Sequence, residues 1–169
     1  MAKISKVIEE LYQSEQWEKA RTLLRRELRR DPTDHWYLTR LSGTYYEQHK
    51  YSKARTVSDR AVKLAPRCPL VLWDRAGIFD MQGQNSKALS IWKTLLKRGA
   101  RGVMLDQCGE GLAWAKSLLN DCRYRIAITY QKVGKSPTAR RYYREYMRQR
   151  AMGVKSIYSK REVKRMFEL

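Results

Sequence analysis

Apolar residues recur along this chain at helical spacing: Ile4, Val7, Ile8 and Leu11, then Ala20, Leu23, Leu24 and Leu28. Residues three and four apart share one face of a helix, and no stretch alternates with the period of two that marks a strand. The pattern predicts an all-α chain. Helix breakers fall at Asp31-Pro32, His49-Lys50, Ala65-Pro66, Gly83-Gln84, Gly99 to Gly102 and Gly134 to Pro137. They leave helices of about 12 to 15 residues, an ordinary length for a globular protein.

The pattern also repeats. Ala20, Ala54 and Ala88 stand 34 residues apart, as do Pro32 and Pro66; Leu11, Tyr45 and Phe79 keep the same step, each nine residues before its alanine. A small residue near the start of a second helix lets two helices approach closely. A bulky residue nine positions earlier fills the space between them, and a proline ends the pair. The register is clearest in LSGTYYEQHKYSKA, residues 41–54, followed by Ala61 and Pro66. It resembles the tetratricopeptide repeat (TPR), a helix-turn-helix unit of 34 residues.

The resemblance implies a right-handed superhelical array of about four helix pairs with a C-terminal capping helix, in one α-solenoid domain over residues 1–169. Repeats are expected at 1–34, 35–68 and 69–102, then an insertion at 103–119, a further repeat at 120–150 and a basic C-terminal segment at 151–169. Three positions depart from the family pattern: Glu27 stands where a small residue is usual, Arg75 where an apolar one is, and Ala100 where the proline would be. In the fourth repeat Ala127, Tyr130, Gly134 and Ala139 restore the pattern, 51 residues beyond Ala88. Leu112, Ala115, Leu119, Cys122, Ile126, Tyr130 and Val133 form a single stripe, so its first helix should extend over about 111–133. Ser159 and Glu162 have capping-box spacing, and Val163, Met166 and Phe167 give the capping helix an apolar face.

Composition changes the picture mainly through charge. With 43% hydrophobic residues in 169, the chain can bury a core and is not disordered. Its 36 Lys and Arg against 17 Asp and Glu give a net +19, beyond the roughly 2 to 8 charges that keep a small domain soluble. The excess points to a negatively charged contact or to a strongly solvated surface. Cys68, Cys108 and Cys122 form no metal-binding spacing, and their odd number suits a reducing compartment. MAKISKVIEELY lacks the features of a secretory or transit peptide, and no segment has the roughly 18 apolar residues of a membrane span. A soluble, cytoplasmic protein is expected.

Little here resembles catalytic chemistry. GKS at 134–136 lacks the glycine that a phosphate-binding loop needs at Thr129 and follows a helix rather than a strand; Ser136 is expected as an N-cap with Pro137 opening the next helix. GEG at 109–111 lacks the third glycine of a dinucleotide fingerprint and is expected to start a helix. His35 and His49 sit in no nucleophile-base arrangement. No enzymatic activity, cofactor or metal is expected.

Binding remains. In the resembled family the first helix of each pair lines a concave groove. Carried over by register, this places Tyr12, Trp36, Thr39, Tyr46, Trp73, Asp80, Asp121 and Tyr124 in a partner-binding groove. Its charged members, Glu9, Glu47, Asp80, Asp121 and Lys132, balance at minus three. Glu9 stands where a lysine-asparagine-arginine clamp for a C-terminal carboxylate would need a neutral donor, which argues against that subclass. Arg21, Arg25, Arg26, Arg29 and Arg30 in RTLLRRELRRDP, with Arg140, Arg141, Arg144 and Arg148, are expected on second helices as an outward basic surface. The leading expectation is a non-catalytic scaffold or adaptor binding a protein or peptide segment through the aromatic groove. The alternative is a helical-repeat protein associated with RNA or DNA through its basic convex face and tail, and an acidic protein or membrane surface is a third candidate for that face.

Overall fold

The computed structural model describes residues 2–167. Among these the chain forms nine α-helices and no strand. The helices are α1 (Ala2–Gln13), α2 (Trp17–Arg30), α3 (His35–Glu47), α4 (Tyr51–Leu64), α5 (Pro69–Met81), α6 (Asn85–Met104), α7 (Leu112–Lys132), α8 (Ser136–Ala151) and α9 (Lys160–Phe167). They fall in two compact units, Met1–Gln82 and Gly83–Leu169. In the first, α1 packs on α2, α2 on α3, and α3 on both α4 and α5; in the second, α7 packs between α6 and α8. The alanines that set the register, Ala20, Ala54, Ala88 and Ala139, are all fully buried. Only a methyl group fits where the paired helices touch.

The turn inside each pair repeats as well. Glu15 (φ 53), His49 (φ 58), Gly83 (φ 72) and Gly134 (φ 74) all adopt the left-handed conformation. Backbone bonds from Gln16 to Leu11, Lys50 to Tyr45 and Lys135 to Tyr130, each 2.9 Å, close the preceding helix around that residue. Glycine takes this conformation without steric cost, whereas Glu15 and His49 do so at roughly 1–2 kcal/mol each. GKS is part of such a turn. Its helix starts one residue earlier than expected, since Lys135 is the N-cap and Ser136 already lies inside α8.

Between repeats, helix ends follow local chemistry. Asp34 caps α3 by accepting from the backbone N–H groups of Trp36 (2.8 Å) and Tyr37 (3.0 Å), and Pro69 opens α5. In the third repeat, where Ala100 replaces the terminal proline, helical structure resumes beyond a break at Gly99 (φ 68) and reaches Met104. The expected insertion is therefore an extra helical turn, a short connection and the first turns of α7. Arg98 holds the connection by bonding the Gly102 carbonyl (3.1 Å) and Asp106 (2.6 Å). The long α7 runs where the apolar stripe placed it.

At the end of the second unit, Ser159 caps α9: the Glu162 N–H donates to Ser159 Oγ at 3.1 Å. Val163 of α9 is fully buried with Tyr124 and Tyr146, and Ile128, Tyr143, Met147, Tyr158 and Phe167 pack around them. Phe167 stacks on Tyr143 at 4.6 Å. A short helix with one apolar face thus covers the apolar surface that α7 and α8 would otherwise expose.

Candidate functional site

In the first unit the predicted groove residues form a register of their own. Tyr12 lies over Gly43, where a Cβ would stand 2.8 Å from the tyrosine hydroxyl, and Tyr46 lies over Gly77, where a Cβ would stand 3.6 Å from the ring. The two pairs are one repeat apart, so each tyrosine rests on the next first helix where that helix has no side chain. Tyr12 meets Trp17 edge-on at 5.2 Å, as Tyr46 meets Tyr51 at 5.6 Å. The Tyr12 hydroxyl donates to the Arg40 carbonyl, and burial pushes its pKa above the ordinary tyrosine value. Tyr12, Trp36, Tyr46 and Trp73 remain half-buried.

Arg40 joins this face although sequence reasoning left it out. Its guanidinium lies over the rings of Tyr12 (5.6 Å) and Trp36 (5.1 Å) and pairs with Glu9 at 2.6 Å. The expected acidic balance is partly neutralised within the face. One period later the same position holds Asp74, which accepts a hydrogen bond from Ser42 Oγ at 2.9 Å, and in the second unit it holds Arg125, placed over the Trp92 ring at 5.3 Å. A charged residue recurring at one point of the repeat was the available signal for all three.

Burial raises the Asp74 carboxyl to about 7, against the opposing pull of Ser58, Ser42, Arg75 and Arg40. Its unfolded value is near 4. The folded chain therefore keeps a proton that the unfolded chain releases, and this contribution is fully present below about pH 4 and lost as pH rises through 7. Asp74→Asn should match the parent in stability at pH 4 and exceed it by about 1–3 kcal/mol at pH 8. Urea midpoints at both pH values check this; a variant less stable at pH 8 would show that the ionised carboxylate is well accommodated.

Four predicted groove residues are turned away from solvent. Thr39 and Asp80 are each 4% exposed, and the Thr39 hydroxyl donates to the His35 carbonyl at 2.8 Å. In the second unit Asp121 and Tyr124 are buried under the chain's own C-terminal segment. Asp121 accepts from Ser156 Oγ (2.5 Å) and the Ile157 N–H (3.4 Å), and burial raises its pKa to about 6 despite these bonds. Tyr124 packs against Tyr146 at 5.6 Å and Tyr158 at 4.3 Å. These two side chains hold the cap.

The basic residues divide differently from expectation. Arg21, placed by the sequence on an outward stripe, is only 2% exposed. Its guanidinium donates to the Thr44 carbonyl (3.1 Å) and to Gln48 Oε1 (2.9 Å), pairs with Glu18, and lies over the Tyr45 ring at 5.0 Å. A long side chain that points sideways from α2 reaches the carbonyl end of α3, where positive charge is favoured. Arg55, one repeat on, lies over Phe79 at 5.5 Å, alongside Arg75 at 4.4 Å. Arg25 donates to the Tyr45 hydroxyl at 2.5 Å, and Lys93, two repeats further on, to the Tyr130 hydroxyl at 2.5 Å. Several second-helix cations thus serve as contacts to the aromatic residue of the next repeat.

The other departures are also resolved by pairing. Glu27 is buried but bridged by Arg26 (3.0 Å) and Arg30 (3.2 Å), and Arg75 pairs with Asp59. Arg25, Arg26, Arg29, Arg30, Arg140, Arg141, Arg144 and Arg148 are exposed.

Residues 39–100 match the family model of the tetratricopeptide repeat. A search of curated proteins gave no match. Among solved structures, the chain is similar to "MamA 41-end from Desulfovibrio magneticus RS-1", with a TM-score of 0.52 and 16% identity over 88% of this chain and 94% of that one. It is also similar to "MamA RS-1 ArsTM double mutant", with a TM-score of 0.51 and 16% identity over 89% and 94%. At such identity the likeness concerns the fold. No described helix is long and apolar enough to cross a membrane. The repeat register, the buried alanines and the match over residues 39–100 agree: this part of the chain carries tetratricopeptide repeats.

Proposed function

We propose that this protein is a non-catalytic interaction scaffold that binds a protein or peptide segment on the face formed by α1, α3 and α5. The observation that carries the reading is the set of half-buried aromatic side chains Tyr12, Trp36, Tyr46 and Trp73, braced by Gly43, Gly77 and Arg40. Aromatic groups already held in place lose little conformational freedom on binding and dominate interface energetics. Glu9 and exposed Glu47 lend the face an acidic edge suited to a segment carrying basic as well as apolar residues. The repeat family supports the reading in general terms, because its members typically bind other proteins.

Selecting peptides from a displayed library on the purified protein tests it. Trp36→Ala with Trp73→Ala should weaken a selected peptide at least tenfold, with little dependence on salt, while Arg29→Gln with Arg30→Gln should leave it unchanged. Tyr12 and Tyr46 are unsuitable for this test because they also join the repeats. Peptides that bind the tryptophan variant as tightly as the parent would defeat the proposal.

A further inference from the structure

The charge of this protein is unevenly distributed. Residues 83–169 hold 20 Lys and Arg against 6 Asp and Glu, and so carry +14 of the net +19. Part of that charge is used internally, as in Lys93 on Tyr130 and Arg125 on Trp92. In α8 the situation changes. Its Arg140 and Arg144 occupy the register positions that Arg21 and Arg25 hold in the first repeat, where they reach the aromatic residue of the following pair. No fifth pair follows α8 among the described residues, and Arg140 and Arg144 are exposed.

A built depression lies on this exposed side. Arg123, Arg141, Tyr142, Arg144, Glu145 and Arg148 line a hollow of about 470 Å³. Glu145 is its only acid and is engaged by Arg148 through Nε (2.9 Å) and Nη2 (3.0 Å), with Arg123 Nε at 3.9 Å. The carboxylate fixes the Arg148 guanidinium and leaves the hollow, with four arginines and one glutamate, a net charge of plus three. Half-buried Tyr142 stacks at 6.0 Å on Tyr130, and the guanidinium of exposed Arg141 lies over its ring at 5.4 Å, a contact that Arg141 would exchange for a phosphate as a base takes its place.

We infer that this α7–α8 surface binds single-stranded nucleic acid, with Arg141 and Arg144 contacting successive phosphates and Tyr142 receiving a base. The charged residues of α8 that could make such contacts are arginines without a lysine among them, and guanidinium forks match phosphate oxygens in pairs. Arginines three and four residues apart present a row of positive charge along one helix face, suited to a polymer with evenly spaced negative charge. The aromatic ring that lines the same hollow separates a nucleic acid, whose bases stack, from an acidic protein, whose carboxylates would need only the arginines. The site lies in the second unit and does not depend on the peptide-binding face of the first.

Fluorescence anisotropy of the full chain with a labelled 20-nucleotide oligouridylate tests the inference over a range of salt concentrations. Arg141→Gln with Arg144→Gln should weaken binding at least tenfold and flatten the salt slope by about 0.7 per lost contact. Arg141→Lys with Arg144→Lys should retain most of the slope. Tyr142→Leu should weaken binding about tenfold while leaving the slope unchanged. Circular dichroism and melting of each variant establish that the fold is kept, as expected for the exposed arginines and for an apolar leucine in place of the half-buried Tyr142 ring. Binding that survives the arginine-to-glutamine variant would overturn the inference. Polyglutamate competing as well as the oligonucleotide, with Tyr142→Leu silent, would overturn it in favour of an acidic protein surface. Equal affinity for a matched duplex, with Tyr142→Leu silent, would overturn the assignment to single strands.

Discussion

Tyr146→Ala is expected to destabilise the second unit by about 3–5 kcal/mol, the cost of removing a fully buried aromatic side chain. The ring is 0% exposed and packs against Tyr124 and Val163. Its hydroxyl lies 2.9 Å from Ser156 Oγ and 3.3 Å from the Tyr158 carbonyl, and Ser156 in turn holds Asp121. Alanine would therefore open a cavity and free the segment that leads to α9. Tyr146→Phe keeps the packing and loses only the hydroxyl, at a cost of about 1 kcal/mol. Denaturant midpoints of the two variants, with hydrogen exchange over residues 154–167, check the expectation. Equal midpoints would mean that the cap does not depend on this ring.

The second large effect concerns the arginine-rich helix α2. Arg21→Ala should cost about 2–4 kcal/mol, because it removes charged hydrogen bonds, a cation–π contact and the packing of a long apolar stem together. Arg29→Ala should cost under about 1 kcal/mol, as expected for an exposed cation. Arg21→Lys should recover only part of the loss, since one ammonium cannot serve Thr44, Gln48 and Glu18 with the geometry of a planar fork. Thermal melts of the set make the comparison directly. If Arg21→Ala melts with Arg29→Ala, the buried assignment is wrong.

Tyr124, Asp121 and Arg21 also show how the candidate sites differ from the expectation set by spacing. Tyr124 and Asp121 occupy groove positions in the repeat, yet in the last repeat the incoming cap takes the place beside them. Arg21 shares its spacing with exposed neighbours, and a period of 3.6 residues assigns a face to the Cα–Cβ direction only. A side chain as long as arginine can leave that face when a carbonyl and an aromatic ring lie within reach of its end.

The sequence by itself determined the helices, their pairing and their turns. Those follow from local signals: apolar spacing at 3.6 residues, alanine where helices touch, and breakers such as Asp31-Pro32, Ala65-Pro66 and Gly83-Gln84 between the helices. The extended α7 was legible for the same reason, as an uninterrupted stripe from Leu112 to Val133. Only the tertiary structure decided which charged residues reach solvent, that Arg40 and Asp74 belong to the packing between repeats, and that the C-terminal segment covers Asp121 and Tyr124. These outcomes depend on neighbours about one repeat away or more, and on the reach of long side chains. The energy of a charge depends on what surrounds its far end, and that is fixed only when the helices pack.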